Sequence, residues 1–302
     1  MTTGQNPVLC AVADIVCRPS PPPRALDAPA AMTPPTARTR PFRHVEVHPM
    51  RNAANAIVRS LVLLLAVSII GSVAARPSAA ADKIKVLVVT GFDVPSHVWE
   101  ESAKLVHAIL DQSGRFEVQI SQDKEVFASP TLSEFGAIVL CYGFWNEPDP
   151  SDAAKAGLIA YVKKGGGLVA LHFASASFQS WDEYGKLLGR QWKKGIGGHG
   201  PYGAFTVNVK NADHPITKGM SDFKTEDELY ARLSGDEPID VLASAHSDWS
   251  KAVEPLVFVR PYGEGRVVHN VLGHGLDSKR NADYQKLLIR GVEWAATGKA
   301  TE

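Results

Sequence analysis

Four short stretches of this chain, residues 83–90, 137–141, 167–171 and 267–272, are almost unbroken runs of valine, leucine, isoleucine and alanine. A strand with one wet face alternates polar and apolar positions, so continuous runs of this length predict strands covered on both faces. Between them the spacing of apolar residues changes to that of helices. Residues 98–110, ended by Gly114, read as one helix. Residues 151–164 read as a second, opened by Ser151 and Asp152 after Pro148 and Pro150 and closed by Gly165, Gly166 and Gly167, and residues 284–296 read as a third. Alternation of buried strand and helix predicts an α/β fold, a mostly parallel sheet with helices on both faces. Residues 202–209 alternate by twos and predict an antiparallel or edge strand.

The front of the chain does not share this texture. Residues 1–49 hold 10 of the 20 prolines and show no apolar period, which suits a disordered or untranslated lead. From Met50 the pattern is secretory: Arg51 and Arg59, an apolar run over residues 61–70, then Ala79, Ala80 and Ala81. That run is short for a bilayer span, so residues 50–81 are expected to be a signal peptide cleaved near Ala81, leaving an exported, periplasmic or secreted domain over 82–302 with no stable membrane span. An uncleaved anchor is the alternative.

Lysine plus arginine equals aspartate plus glutamate at 32 each, which removes the electrostatic footprint expected of a nucleic-acid partner. Cys10 and Cys17 lie in the lead, so the expected mature domain keeps only Cys141, at the end of an apolar run and best read as buried filler. Gly165, Gly166 and Gly167 follow a helix and precede a strand, the reverse of a phosphate cradle, and are read as a helix stop. The glycine-rich stretch at residues 195–200 joins no obvious elements and reads as a flap over the sheet edge or as a flexible linker.

The polar residues worth weighing fall at strand ends, where open α/β sheets bind ligands. His172 directly follows the run at 167–171. His274 follows the run at 267–272, between Gly273 and Gly275. His97 comes after the first strand, at a helix start. Three histidines on one rim suit proton transfer or a divalent metal such as zinc, with His97, His172 and His274 as ligands. The plainer alternatives are a core histidine bonded to a carbonyl for His172 and a helix cap for His97. Asp227 and Glu228 would point to opposite faces of an extended segment, so one of them is expected to enter the site, with Tyr230 on the face of Glu228. Glu228 is the candidate acid, base or ligand beside His172 and His274, while Tyr230, His97 and Trp145 are candidates for substrate binding. His199 is open; His214 reads as part of a turn with Pro215, and His246 and His269 as surface residues of strands or loops.

These landmarks, in order, are Gly91 and His97, the glycines leading to His172, Asp213-His214-Pro215-Ile216 with Gly219, Asp227-Glu228-Leu229-Tyr230, Gly265-Arg266-Val267, Leu272-Gly273-His274 and Trp294. Together they resemble the trehalose-utilisation (ThuA-like) family over residues 83–297. The resemblance implies a single domain of the class I glutamine amidotransferase-like (flavodoxin-like) fold and a role in carbohydrate metabolism around trehalose or oxidised sugars. It also implies that the position of the amidotransferase nucleophilic cysteine is taken by His172 and that of its partner histidine by His274, so glutamine hydrolysis is not expected. The leading expectation is acid-base or metal-assisted chemistry on a sugar or 3-keto-glycoside. A non-catalytic sugar-binding module and an amidotransferase-like hydrolase with a replaced nucleophile are the alternatives.

Overall fold

The computed structural model describes residues 82–301 apart from Asp93 and Tyr142, so the lead and signal-peptide expectations fall outside the described residues. Eleven strands are formed within them: β1 (Ile84–Val89), β2 (Phe116–Ser121), β3 (Ala137–Cys141), β4 (Gly167–Leu171), β5 (Gly198–His199), β6 (Gly203–Val209), β7 (Phe223–Asp227), β8 (Tyr230–Ala231), β9 (Asp240–Ser247), β10 (Ala252–Tyr262) and β11 (Gly265–Asn270). Nine make one sheet in the order β2-β1-β3-β4-β11-β10-β9-β6-β7. The first five are mutually parallel, and the pairings from β11 outward are antiparallel.

Alternation along the buried strands builds a core on each side. Val86 and Val88 of β1 join one core, to which α1 (Trp99–Gln112) and α4 (Ala282–Thr297) contribute Val106, Ile109, Leu287 and Val292. Leu87 and Val89 point into the other, covered by α2 (Asp152–Lys163) and α3 (Asp182–Leu188) through Leu158, Val162, Tyr184 and Leu187. Each of these aliphatic side chains contributes about 1.5–3 kcal/mol by leaving water. Ser151 caps α2 by accepting from the Ala154 N–H, as its sequence position suggests. Gly165, with φ +108°, turns the chain from α2 towards β4.

The antiparallel wing was less legible. Pro255 and Pro261 interrupt β10, and proline normally argues against an inner strand; here Pro255 sits at a register shift against β9, where the ladder is already broken. His269 also departs from expectation. It is wholly buried, packed on the Phe258 ring at 4.7 Å and close to the Leu188 backbone, because β11 lies inside the sheet and has no wet face. Burial pushes its pKa down to about 3. The unfolded chain therefore takes up this proton first as pH falls, and stability that is intact above the unfolded value of about 6.5 is lost between there and about 3. Between pH 7 and 4.5 the native protein should lose about 2.5 kcal/mol more than a His269→Leu variant. Urea unfolding at the two pH values checks this, and parallel losses would refute it. His246 is exposed on β9, as expected, 3.8 Å from Asp248.

Candidate functional site

The loops at the carboxyl ends of β1, β4 and β11 converge with the break between β7 and β8, and each brings one ionisable group. His172 opens a 3₁₀ turn (His172–Ala176) straight after β4, with φ +47°. A non-glycine residue in that region is strained by roughly 1–3 kcal/mol, and such strain concentrates at functional positions. Its Nδ1 lies 2.8 Å from the Val271 carbonyl. A carbonyl only accepts, so Nδ1 carries the hydrogen and the neutral ring turns the Nε2 lone pair the other way. Burial, reinforced by the nearby His97, His274 and Lys279, holds the pKa of His172 well below the ordinary histidine value and keeps the ring neutral.

Nε2 of His172 stands 3.8 Å from Oε2 of Glu228, and Nδ1 of His274 stands 3.0 Å from the same oxygen. The His97 ring closes the group, 5.6 Å from His172 and 4.9 Å from His274 between centroids. It does not cap α1, whose first turn has no side-chain cap. One donor atom from each of His97, His172, Glu228 and His274 lies within 4.8 Å of all the others. Burial pushes the Glu228 carboxyl up, but His274, His199 and His97 outweigh it and hold the group below the usual range, so it is an anion at neutral pH. Three imidazoles and a carboxylate are the donor set of zinc and similar divalent cations, and an imidazole anchored through its other nitrogen to a carbonyl, as His172 is, has the usual posture of a ligand.

In front of this group is a cavity of about 240 Å³ lined by His97, Trp145, Phe173, Trp192, His199, Glu228 and Tyr230, with Val94 and Ser96 at its side. Tyr230 stacks obliquely on His172 at 4.1 Å and on Trp192 at 4.3 Å. Trp145 forms the opposite side against Phe173, with the Lys194 ammonium 5.7 Å over its ring. A larger cavity of about 530 Å³ opens near the amino ends of β3 and β4, but no histidine or carboxylate lines it.

Residues 85–295 match the family described as trehalose utilisation. The chain belongs to this ThuA family. A solved ThuA-like protein from Parabacteroides merdae is 31% identical, with a TM-score of 0.66 over 73% of this chain and 92% of the other. Another from Bacteroides uniformis is 20% identical, with a TM-score of 0.60 over 74% and 96%. A cytoplasmic protein of Salmonella typhimurium shares the fold at 18% identity, with a TM-score of 0.50 over 70% and 99%. Among curated proteins none matches the chain.

Of the residues expected to form the ThuA site, His97, His172, His274, Glu228, Tyr230 and Trp145 all come together. His199, left open, joins them: its Nδ1 is 3.6 Å from Oε1 of Glu228 and 2.7 Å from the Gly200 carbonyl. The stretch at 195–200 is not a slack linker, since Gly198 and His199 pair with β8. His274 sits in a turn four residues past the end of β11 rather than on the strand. Cys141 is buried at the end of β3, on a different strand from β4, whose end carries His172.

Trp192 had not been singled out, and Asp227 had been given no part in the site. Trp192 carries no signal beyond lying just before the glycine-rich stretch. Asp227, expected to turn away from Glu228, does so and serves the site from behind: its carboxylate accepts from the backbone N–H groups of Gly273 (2.6 Å), His274 (2.9 Å) and Glu228 (2.9 Å). The buried ammonium of Lys279 donates to the Gly273 carbonyl. Gly273 has φ +103°, and a Cβ there would lie 2.7 Å from the Tyr284 ring, so only glycine fits this turn.

Proposed function

We propose that this protein is an exported, carbohydrate-acting enzyme in which His97, His172, His274 and Glu228 hold a divalent cation beside a pocket for trehalose or a related, oxidised sugar. The observation that carries the reading is the convergence of four donor atoms, from four separate segments, within 4.8 Å. A cation bound there would polarise a sugar carbonyl or hydroxyl. With Oε2 turned to His172 and His274, Oε1 of Glu228 faces His199, and this carboxylate-imidazole pair stands at the cavity, where it would move a proton to or from the substrate. A keto group makes its neighbouring C–H bonds acidic, so the pair suits isomerisation or elimination on a 3-keto-glycoside. Trp145, Trp192 and Tyr230 supply apolar faces for a sugar ring, while buried ionisable groups in this number exceed what a purely binding module needs. The family's association with trehalose supports the substrate class.

Export follows from the secretory pattern after Met50. No helix among the described residues is long and apolar enough to cross a membrane. The test starts from protein recovered from the exported fraction, whose intact mass should place its first residue near Asp82. Elemental analysis should give about one equivalent of a divalent ion. Chelation should remove turnover of trehalose or 3-keto-trehalose, and one equivalent of zinc, manganese or nickel should restore it. Metal-free protein with full activity would sink the cation reading and leave Glu228 and the histidines as plain acid-base groups.

A further inference from the structure

The cavity in front of the four donors is small. At about 240 Å³ it falls below the range of roughly 300–1,000 Å³ typical of pockets for drug-sized ligands, and it has room for one sugar ring. A glycoside with one ring against Trp145, Trp192 and Tyr230 must leave its other ring outside. Two exposed aromatic residues stand close to the site. Tyr202, immediately before β6, is 43% exposed, and its ring centroid is 5.7 Å from that of His274. Its position is fixed: the hydroxyl donates to the Glu226 carbonyl at 2.9 Å and lies 3.4 Å from Oγ of Ser278. Trp249, 42% exposed, packs against the segment that carries His199, so closely that a Cβ on Gly198 would lie 2.3 Å from the indole. Arg232, held at φ +56°, lays its guanidinium 4.7 Å over that ring.

We infer that Tyr202 and Trp249, with Arg232, form an outer subsite that binds the second ring of a disaccharide or other glycoside while the first occupies the cavity. This rests on the proposed carbohydrate reading and deepens it, because it makes the substrate a glycoside rather than a free monosaccharide. Rigid aromatic faces beside fixed donors suit a ring that presents C–H groups on its faces and hydroxyls at its edge.

Calorimetric titration of the metal-loaded protein with trehalose and with glucose tests the subsite. Wild type should bind trehalose more tightly than glucose. Tyr202→Ala should weaken trehalose by roughly tenfold, the scale of about 1.4 kcal/mol for one aromatic contact, and leave glucose within about twofold. Tyr202→Phe, which keeps the ring, should retain most of the trehalose affinity, and Trp249→Ala should act in the same direction as Tyr202→Ala. Loss of both sugars in parallel, no loss of trehalose, or a dimer that sedimentation shows to depend on Tyr202 would overturn the subsite while leaving the inner pocket intact. Failure of wild type to bind either sugar would overturn the subsite and the carbohydrate reading together.

Discussion

A His172→Ala variant should fold, lose at least about 100-fold in affinity for the divalent ion, and lose turnover with it. Even an outer partner of a metal ligand is worth about 10–100-fold, and His172 would be a ligand itself. The stability cost should be modest, about 1–3 kcal/mol, because the buried Val271 carbonyl loses its donor. The left-handed backbone at His172 adds a second expectation. Glycine relieves the strain that alanine keeps, so His172→Gly should be more stable than His172→Ala by about 1 kcal/mol while being equally inactive. Metal titration and chemical denaturation of both variants check this. A variant that keeps its metal and its turnover would return His172 to the core.

Replacing Asp227 should bring the largest stability loss. Its carboxylate is buried and holds three backbone N–H groups, and Lys279 lies buried beside it with its pKa lowered to about 8 by burial, against the opposing pull of Cys141 and Asp227. Asp227→Ala leaves those donors without their acceptor and the ammonium without its counter-charge, which should cost about 3–5 kcal/mol at pH 7. Asp227→Asn keeps the shape and one acceptor, and should lose less. In the surviving folded fraction the Gly273-His274 turn is no longer clamped, so metal occupancy should fall although no ligand has been removed. Urea unfolding with metal analysis of the same samples is the measurement, and a loss under about 1 kcal/mol with full occupancy would show the clamp to be incidental.

The parallel half of the sheet and the rim site were legible because both depend on short-range patterns: apolar runs that must be buried on two faces, each followed by a polar residue at its carboxyl end. His172 and His274 stand out for that reason. The antiparallel wing was obscured by Pro255 and Pro261: a register shift against β9 absorbs the first, and the second lies near the end of β10, paired with Arg266 of β11. His199 and Trp192 stayed ambiguous because the pairing of β5 with β8 is a contact between segments about 30 residues apart, and nothing local signals it. His269 was misplaced because its burial depends on which strand lies next to β11, a property of sheet order and not of its neighbours in sequence.

The four donors of the candidate centre are spread from residue 97 to residue 274, and no two come from the same strand-to-helix connection. No fragment of the domain brings them together, so a metal pocket exists only after the whole parallel sheet has closed and the β7–β8 break has docked on it. Contacts so distant in sequence form late, since the loop entropy is lost before they give anything back. Cation uptake would then act as a proofreading mark. A chain that binds its ion has completed its topology, and one that has not exposes scattered single histidines, which hold a divalent ion only weakly.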